Sequence, residues 1–254
     1  MRTGLAVVIL LLSACVSQTT LDGQPVVRET DQPQRVAAER VALAMAYMER
    51  GQYSQAKANL ERAEALDPDS ESLLLAAALY FEQVGDVDGA TQSYLTALKR
   101  APDSADLRNN YGVFLCREKR YEAAQEQLLL AVNQPHYRQQ GSTYENLARC
   151  ALQAGQVNDA ERYFGRALKY DPNRTSIWLE LAELSLSQKR FDDAGEALAQ
   201  FHAVSPATAS SLWLGVEIAI AAERRQTARH FGARLLLDYP DSKQAKAYRA
   251  KNYQ

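Results

Sequence analysis

Along residues 141–172, GSTYENLARCALQAGQVNDAERYFGRALKYDP, the apolar and small positions fall into two sets. Each set has the three-and-four spacing of one helix face. The first comprises Tyr144, Leu147, Ala148 and Ala151; the second comprises Val157, Ala160, Phe164, Ala167 and Leu168. Between them lies Ala154-Gly155-Gln156, and Gly155 suits a turn because it takes left-handed backbone angles without a Cβ clash. Asp171-Pro172 closes the second set, since the residue before a proline is driven out of the helical region. The pattern predicts two helices packed back to back. Ala148 and Ala160 let them approach closely, and Tyr144 and Phe164 fill the volume around that contact.

The unit recurs. Closing prolines stand at Pro68, Pro102, Pro172, Pro206 and Pro240, evenly spaced except for one gap between Pro102 and Pro172. That gap is two periods plus two residues, and Pro135 stands near the missing marker. A helix-turn-helix period of about 34 residues, with recurring small, aromatic and proline positions, resembles the tetratricopeptide (TPR) family. Leu43, Ala44, Tyr47, Gly51, Ala56, Leu60 and Ala63 carry the likeness in the first unit, and Tyr111, Gly112, Leu115, Tyr121, Ala124 and Leu128 carry it in the third. The resemblance implies an all-α fold, a right-handed superhelical solenoid of six TPR repeats over 36–240, at about 37–70, 71–104, 105–140, 141–174, 175–208 and 209–240. Each repeat covers the apolar face of its neighbour. The sixth departs most from the pattern. Gly215 and Val216 exchange small and large character, Gly232 replaces an aromatic residue and Leu235 an alanine, so looser packing is expected there. Residues 241–254 are charged and helix-competent, and predict a capping helix with Ala245 and Tyr248 on its inner face.

The N-terminus breaks the repeat pattern. Arg2 precedes an apolar run from Leu5 to Leu12, too short for the roughly 20 residues of a membrane span and suited to a secretory signal. Leu12-Ser13-Ala14-Cys15 then resembles a bacterial lipobox. That resemblance implies a signal peptide over 1–14 and a lipid (palmitate-type acyl) anchor on Cys15; an ordinary signal peptide or a short buried run are the alternatives. Val16 stands where an aspartate would resemble an inner-membrane retention signal, which favours the periplasmic face of the outer membrane. Residues 15–35 are polar with Gly23, Pro25 and Pro33, and predict a flexible tether.

Charge and chemistry narrow the function classes. With 29 basic and 31 acidic residues the formal charge is −2, and no segment is strongly basic, so nucleic acid is not an expected partner. The three histidines, His136, His202 and His230, pair with no metal-ligand spacing, and no nucleophile-and-base motif occurs. The reading is a non-enzyme with no cofactor, metal or small-molecule substrate. Cys116 and Cys150 lie on first helices of adjacent repeats, at repeat positions that differ by two residues, about 200° of helical rotation. On that ground two separate, buried thiols are expected, although the periplasm is oxidising. Asn133 to Gly141 holds the two extra residues and reads as a tolerated loop insertion rather than a widening of the groove. Asn173-Arg174-Thr175 matches a glycosylation acceptor but reads as the start of the fifth repeat.

In TPR proteins the first helices line a concave face. Carried onto this chain, that face gives a candidate partner-binding groove. Val41, Met45, Met48, Leu75 and Leu79 form an apolar strip, Asn109, Val113, Glu145 and Arg149 form a more polar middle, and Trp213 stands near the far end. The strip suits an amphipathic helix or an extended apolar peptide. The alternative is that part of it is solenoid core or lies under the tether. Asn109 resembles one member of the carboxylate clamp of chaperone-docking TPR proteins, whose lysines are missing here.

A narrower resemblance rests on Asn109-Asn110-Tyr111-Gly112-Val113-Phe114-Leu115-Cys116, on Arg120-Tyr121-Glu122 with Ala124, on Tyr144-Glu145-Asn146-Leu147 and on Leu212-Trp213-Leu214-Gly215. These stretches, with the lipobox, resemble the type IV pilus biogenesis and stability lipoproteins, pilotins of the pilus secretin. The resemblance implies that the secretin is the partner, that its outer-membrane localisation and multimerisation are the role, and that pilus extension and twitching depend on it. A TPR scaffold lipoprotein for other envelope machinery, barrel assembly or cell-wall synthesis, is the other reading.

Overall fold

The structure is a computed structural model that describes residues 32–250 together with Thr20–Leu21 and Gln24–Pro25. The signal, lipobox and Cys15 lie outside the described residues. Within the segment read as a tether, Thr20 pairs with Pro25 and Leu21 with Gln24 in an antiparallel two-residue ladder. Everything else that is regular is helical, and the fold is that of an all-α TPR protein. The helices are α1 (Pro33–Glu49), α2 (Tyr53–Leu66), α3 (Glu71–Gln83), α4 (Val87–Arg100), α5 (Ala105–Arg117), α6 (Tyr121–Val132), α7 (Gln140–Gln153), α8 (Val157–Tyr170), α9 (Thr175–Ser187), α10 (Phe191–Val204), α11 (Ala209–Ala221), α12 (Arg225–Asp238) and α13 (Lys243–Ala250). Among the described residues no helix is long and apolar enough to cross a membrane.

Each pair closes where small residues let two backbones approach. Ala44 and Ala56, Ala78 and Ala90, Ala148 and Ala160, and Ala182 and Ala194 are all fully buried. At Gly112 even a methyl group is too large, because its Cβ would lie 2.6 Å from Leu128 Cγ and 3.1 Å from the Ala124 carbonyl oxygen. Six hairpin turns repeat one geometry. Gly51, Gly85, Lys119, Gly155, Lys189 and Glu223 all have φ between 58° and 77°. Such a left-handed residue lets the chain close on the last helical carbonyls. Lys119 N–H donates to the Cys116 carbonyl at 2.9 Å, and Arg120 N–H to that of Leu115 at 2.8 Å.

The chain divides into two compact units, Met1–Ser93 and Tyr94–Gln254. In the first, Ala37, Val41, Ala44, Leu60, Ala63, Leu73 and Ala76 form one core across α1, α2 and α3. Leu43 is 45% exposed although it occupies a core position of the repeat. That position faces the preceding repeat, and α1 has no such neighbour among the described residues. In the second unit Tyr94 stacks on Tyr111 with ring centroids 5.0 Å apart, and Leu128, Tyr144, Leu147, Phe164 and Ile177 carry the core onward through α6, α7, α8 and α9.

Two expectations are overturned here. Cys116 and Cys150 are joined in a disulfide, with Cα atoms 5.7 Å apart. The rotation argument had the wrong sign. Two parallel helices side by side meet through opposite faces, so residues half a turn apart in phase point at each other. An offset of two positions is slightly more than half a turn, and it therefore brings the two sulfurs together. Nor is the sixth repeat loosened at Gly232. A Cβ there would lie 2.0 Å from Tyr248 Cζ, so the missing side chain makes room for a ring from α13. Gly215 likewise accommodates Phe231, whose ring atoms would lie 2.7 Å from a Cβ. The volume is conserved, but it is supplied from a different helix.

Candidate functional site

Of the apolar strip in the first unit, Val41 and Met48 are only 6% exposed. Both belong to the interior, which corrects their assignment to a binding surface: α1 turns these positions toward α2 and α3. Met45, Leu75 and Leu79 remain half-buried and keep part of their side chains at the surface. Met45 also packs on the α1–α3 core.

The polar middle lies in the second unit, and its groups are engaged within the chain. Asn109 Oδ1 on α5 accepts from Thr143 Oγ1 at 2.9 Å and from Asn146 Nδ2 at 3.0 Å, both on α7. Thr143 is in turn hydrogen-bonded at 3.0 Å to the hydroxyl of Tyr137, whose ring is buried against Ala105 and Ala131. The extra loop between α6 and α7, in which exposed His136 takes φ 61°, thus plants an anchor between three helices. One repeat further on, Glu145 is buried on α7 and accepts from Arg149 of its own helix at 2.7 Å. It also accepts from Arg174 at 2.7 Å, just before α9. Arg149 reaches on to Glu180 of α9 at 2.7 Å, and that hydrogen bond raises its already high pKa further. Asn109 and Glu145 therefore hold successive first helices together, and only Arg149 is exposed. Half-buried Val113 packs against the α7–α8 core. Arg174 and Glu180 were not singled out from the sequence. The signal was present, since opposite charges 29 and 31 residues apart, on or just before successive first helices, are candidates for pairing.

Beyond Glu180 the surface changes. Leu186 and Glu183 on α9, Trp213, Leu214 and Glu217 on α11, and Lys243 on α13 line a cavity of about 600 Å³. Trp213 is half-buried, with one side packed into the α11–α13 core. Partial burial pushes the Glu183 carboxyl above the usual carboxylate range, and the charges of Glu180 and Glu217 push it the same way. A second cavity of about 610 Å³ lies between α10, α11 and α12. Its His202 shares a 2.9 Å hydrogen bond with Ser211 Oγ, and burial, aided by Arg234, lowers its pKa. Among the described residues no group of three or more His, Cys, Asp or Glu side chains is placed to hold a metal ion.

This succession of antiparallel helix pairs defines a TPR protein, a class built to hold other proteins. Tetratricopeptide-repeat models match residues 41–95, 75–137 and 151–206. The chain is 32% identical over 241 residues, 94% of each chain, to the type IV pilus assembly protein PilF of Pseudomonas aeruginosa. It superposes on the solved P. aeruginosa PilF with TM-score 0.69 and 31% identity, over 87% of this chain and 99% of that one. PilW, a widely conserved type IV pilus biogenesis factor, also gives TM-score 0.69 at 31% identity, over 84% of this chain and 98% of that one. The chain belongs to the TPR family and, within it, to the PilF/PilW-like proteins of type IV pilus biogenesis.

Proposed function

We propose that this protein is a non-catalytic outer-membrane lipoprotein that binds the type IV pilus secretin. In this reading it promotes the secretin's localisation to the outer membrane and its multimerisation, and so supports pilus extension and twitching. The observation that carries the reading is the relation to PilF along nearly the whole chain, together with the Leu12-Ser13-Ala14-Cys15 lipobox. Lipid on Cys15 holds the repeats at the periplasmic face of the outer membrane. The segment before α1, residues 15–32, gives them reach. Met45, Leu75 and Leu79, apolar and partly exposed on α1 and α3, receive an apolar secretin segment. Tethering then raises the local concentration of that segment at the membrane where it must assemble.

The test is an immunoblot of unheated outer membranes for secretin multimers. Wild type, a deletion, Leu75→Glu and a Cys15→Ala form exported through a cleavable signal peptide are compared. Multimers disappear in the deletion and in folded Leu75→Glu protein, and the Cys15→Ala form leaves them in the inner membrane. Unchanged multimers in the deletion would refute the secretin role. Normal multimers with Leu75→Glu would refute the groove alone.

A further inference from the structure

The cavity over α9, α11 and α13 combines two features. The first is an unfilled apolar floor. Leu186, Trp213 and the edge of buried Leu214 face a space lined on the α13 side by Lys243, Gln244 and Ala247. Small Ser187 and Ser210 complete the wall, and the volume falls in the range of about 300–1,000 Å³ typical of built binding sites. The second is unmatched charge. Glu183 and Glu217 stand one repeat period apart, so successive first helices present them on the same side. Among the described residues neither forms an ion pair or hydrogen bond through its side chain, whereas Glu145 and Glu180 are each matched by an arginine. Both side chains are exposed, so two like charges on neighbouring first helices, with no ion-pair partner among the described residues, draw a cation from outside. The indole of Trp213, which lines the same cavity, favours the same sign of charge.

We propose that this cavity binds a segment of a partner protein in which a lysine or arginine adjoins a large aliphatic side chain. The cation lies between Glu183 and Glu217, and the aliphatic group covers Trp213 and Leu186. Lys243, which lines the same cavity from α13, disfavours a second cation. The site stands on the second unit alone. It is independent of whether the partner is the secretin, and it is read with no secretin present.

The experiment is a fluorescence-anisotropy titration of the full chain, in which Cys15→Ser prevents lipid attachment, with labelled octapeptides. Their centres are Leu-Arg-Leu, Leu-Gln-Leu and Gly-Arg-Gly, flanked by glycine and serine. The Leu-Arg-Leu peptide binds roughly two- to fivefold more tightly than either of the others, as expected for an ion pair with exposed carboxylates. Glu183→Gln with Glu217→Gln abolishes the preference for arginine over glutamine. Trp213→Ala abolishes the preference for leucine over glycine. Lys243→Gln leaves binding equal or tighter. Circular dichroism and thermal midpoints establish that each variant is folded. Equal binding of the arginine and glutamine peptides, or an arginine preference that survives the double variant, would overturn the proposal.

Discussion

The α5–α7–α9 stretch and the α9–α11–α13 end are built from the same part of the repeat, successive first helices, and are finished in opposite ways. At the first, a disulfide and a buried tyrosine from the extra loop hold the helices, and the side-chain oxygens of Asn109 and Glu145 are matched by donors from the chain itself. At the second, two carboxylates face an open apolar floor. One surface of the repeat thus serves as an internal weld in one place and as a receptor in another. The difference lies in whether the neighbouring repeat supplies the complement.

The weld should be broken most by reduction. The cross-link joins residues with a sequence separation of 34, and closing such a loop in the unfolded chain is worth roughly 3–4 kcal/mol. The Cys116→Ala, Cys150→Ala double variant should therefore unfold at markedly lower urea, and reductant should lower the wild-type midpoint to match. A midpoint indifferent to reductant would mean the bond does not constrain the unfolded chain. Glu145→Ala comes next. It leaves partly buried Arg174 with only the more distant carboxylate of Asp171, 3.7 Å away, which costs about 1–2 kcal/mol, measurable by the same denaturation. Gly232→Ala should cost about 1–3 kcal/mol, because Tyr248 must leave its seat. Hydrogen exchange should then show α13 opening before α11; unchanged protection of α13 would contradict the packing described.

Smaller effects sharpen the contrast. Lys119, Lys189 and Glu223 hold left-handed backbone angles that cost a residue with a Cβ about 1–2 kcal/mol. Replacing any of them with glycine returns about 0.5–1 kcal/mol of that gain to the unfolded chain. A net stabilisation of up to about 1 kcal/mol per turn remains, and a lower thermal midpoint would count against it. The receptor end predicts the smallest change and the most telling sign. Glu183 has a raised folded-state pKa, so the stability tied to its protonated form is full below the ordinary glutamate value and is lost as pH rises through the raised one. Glu183→Gln should therefore be slightly more stable than wild type at neutral pH, with a flatter midpoint-against-pH curve between the two pKa values. Parallel curves would mean that the carboxylate carries no penalty.

The sequence by itself determined the local structure. Helical period, small residues at hairpin contacts and proline punctuation are constraints within one or two turns of chain, so the repeat spacing located the hairpins from α1 to α12 and the Ala148/Ala160-type contacts. It also placed Ala245 and Tyr248 on the buried face of α13. Three glycines marked left-handed turns, while Lys119, Lys189 and Glu223 gave no such mark, because there the tertiary fold imposes the geometry on residues that merely tolerate it. Only the tertiary structure decided which faces meet. It joined Cys116 to Cys150, placed Tyr248 in the space Gly232 leaves, turned Val41 and Met48 inward, and matched Glu145 and Glu180 with arginines while leaving Glu183 and Glu217 facing a cavity. The physical reason is that periodicity fixes the direction of a side chain relative to its own helix axis. Contact also depends on the stagger and distance between helices, which the packing of all the side chains sets together.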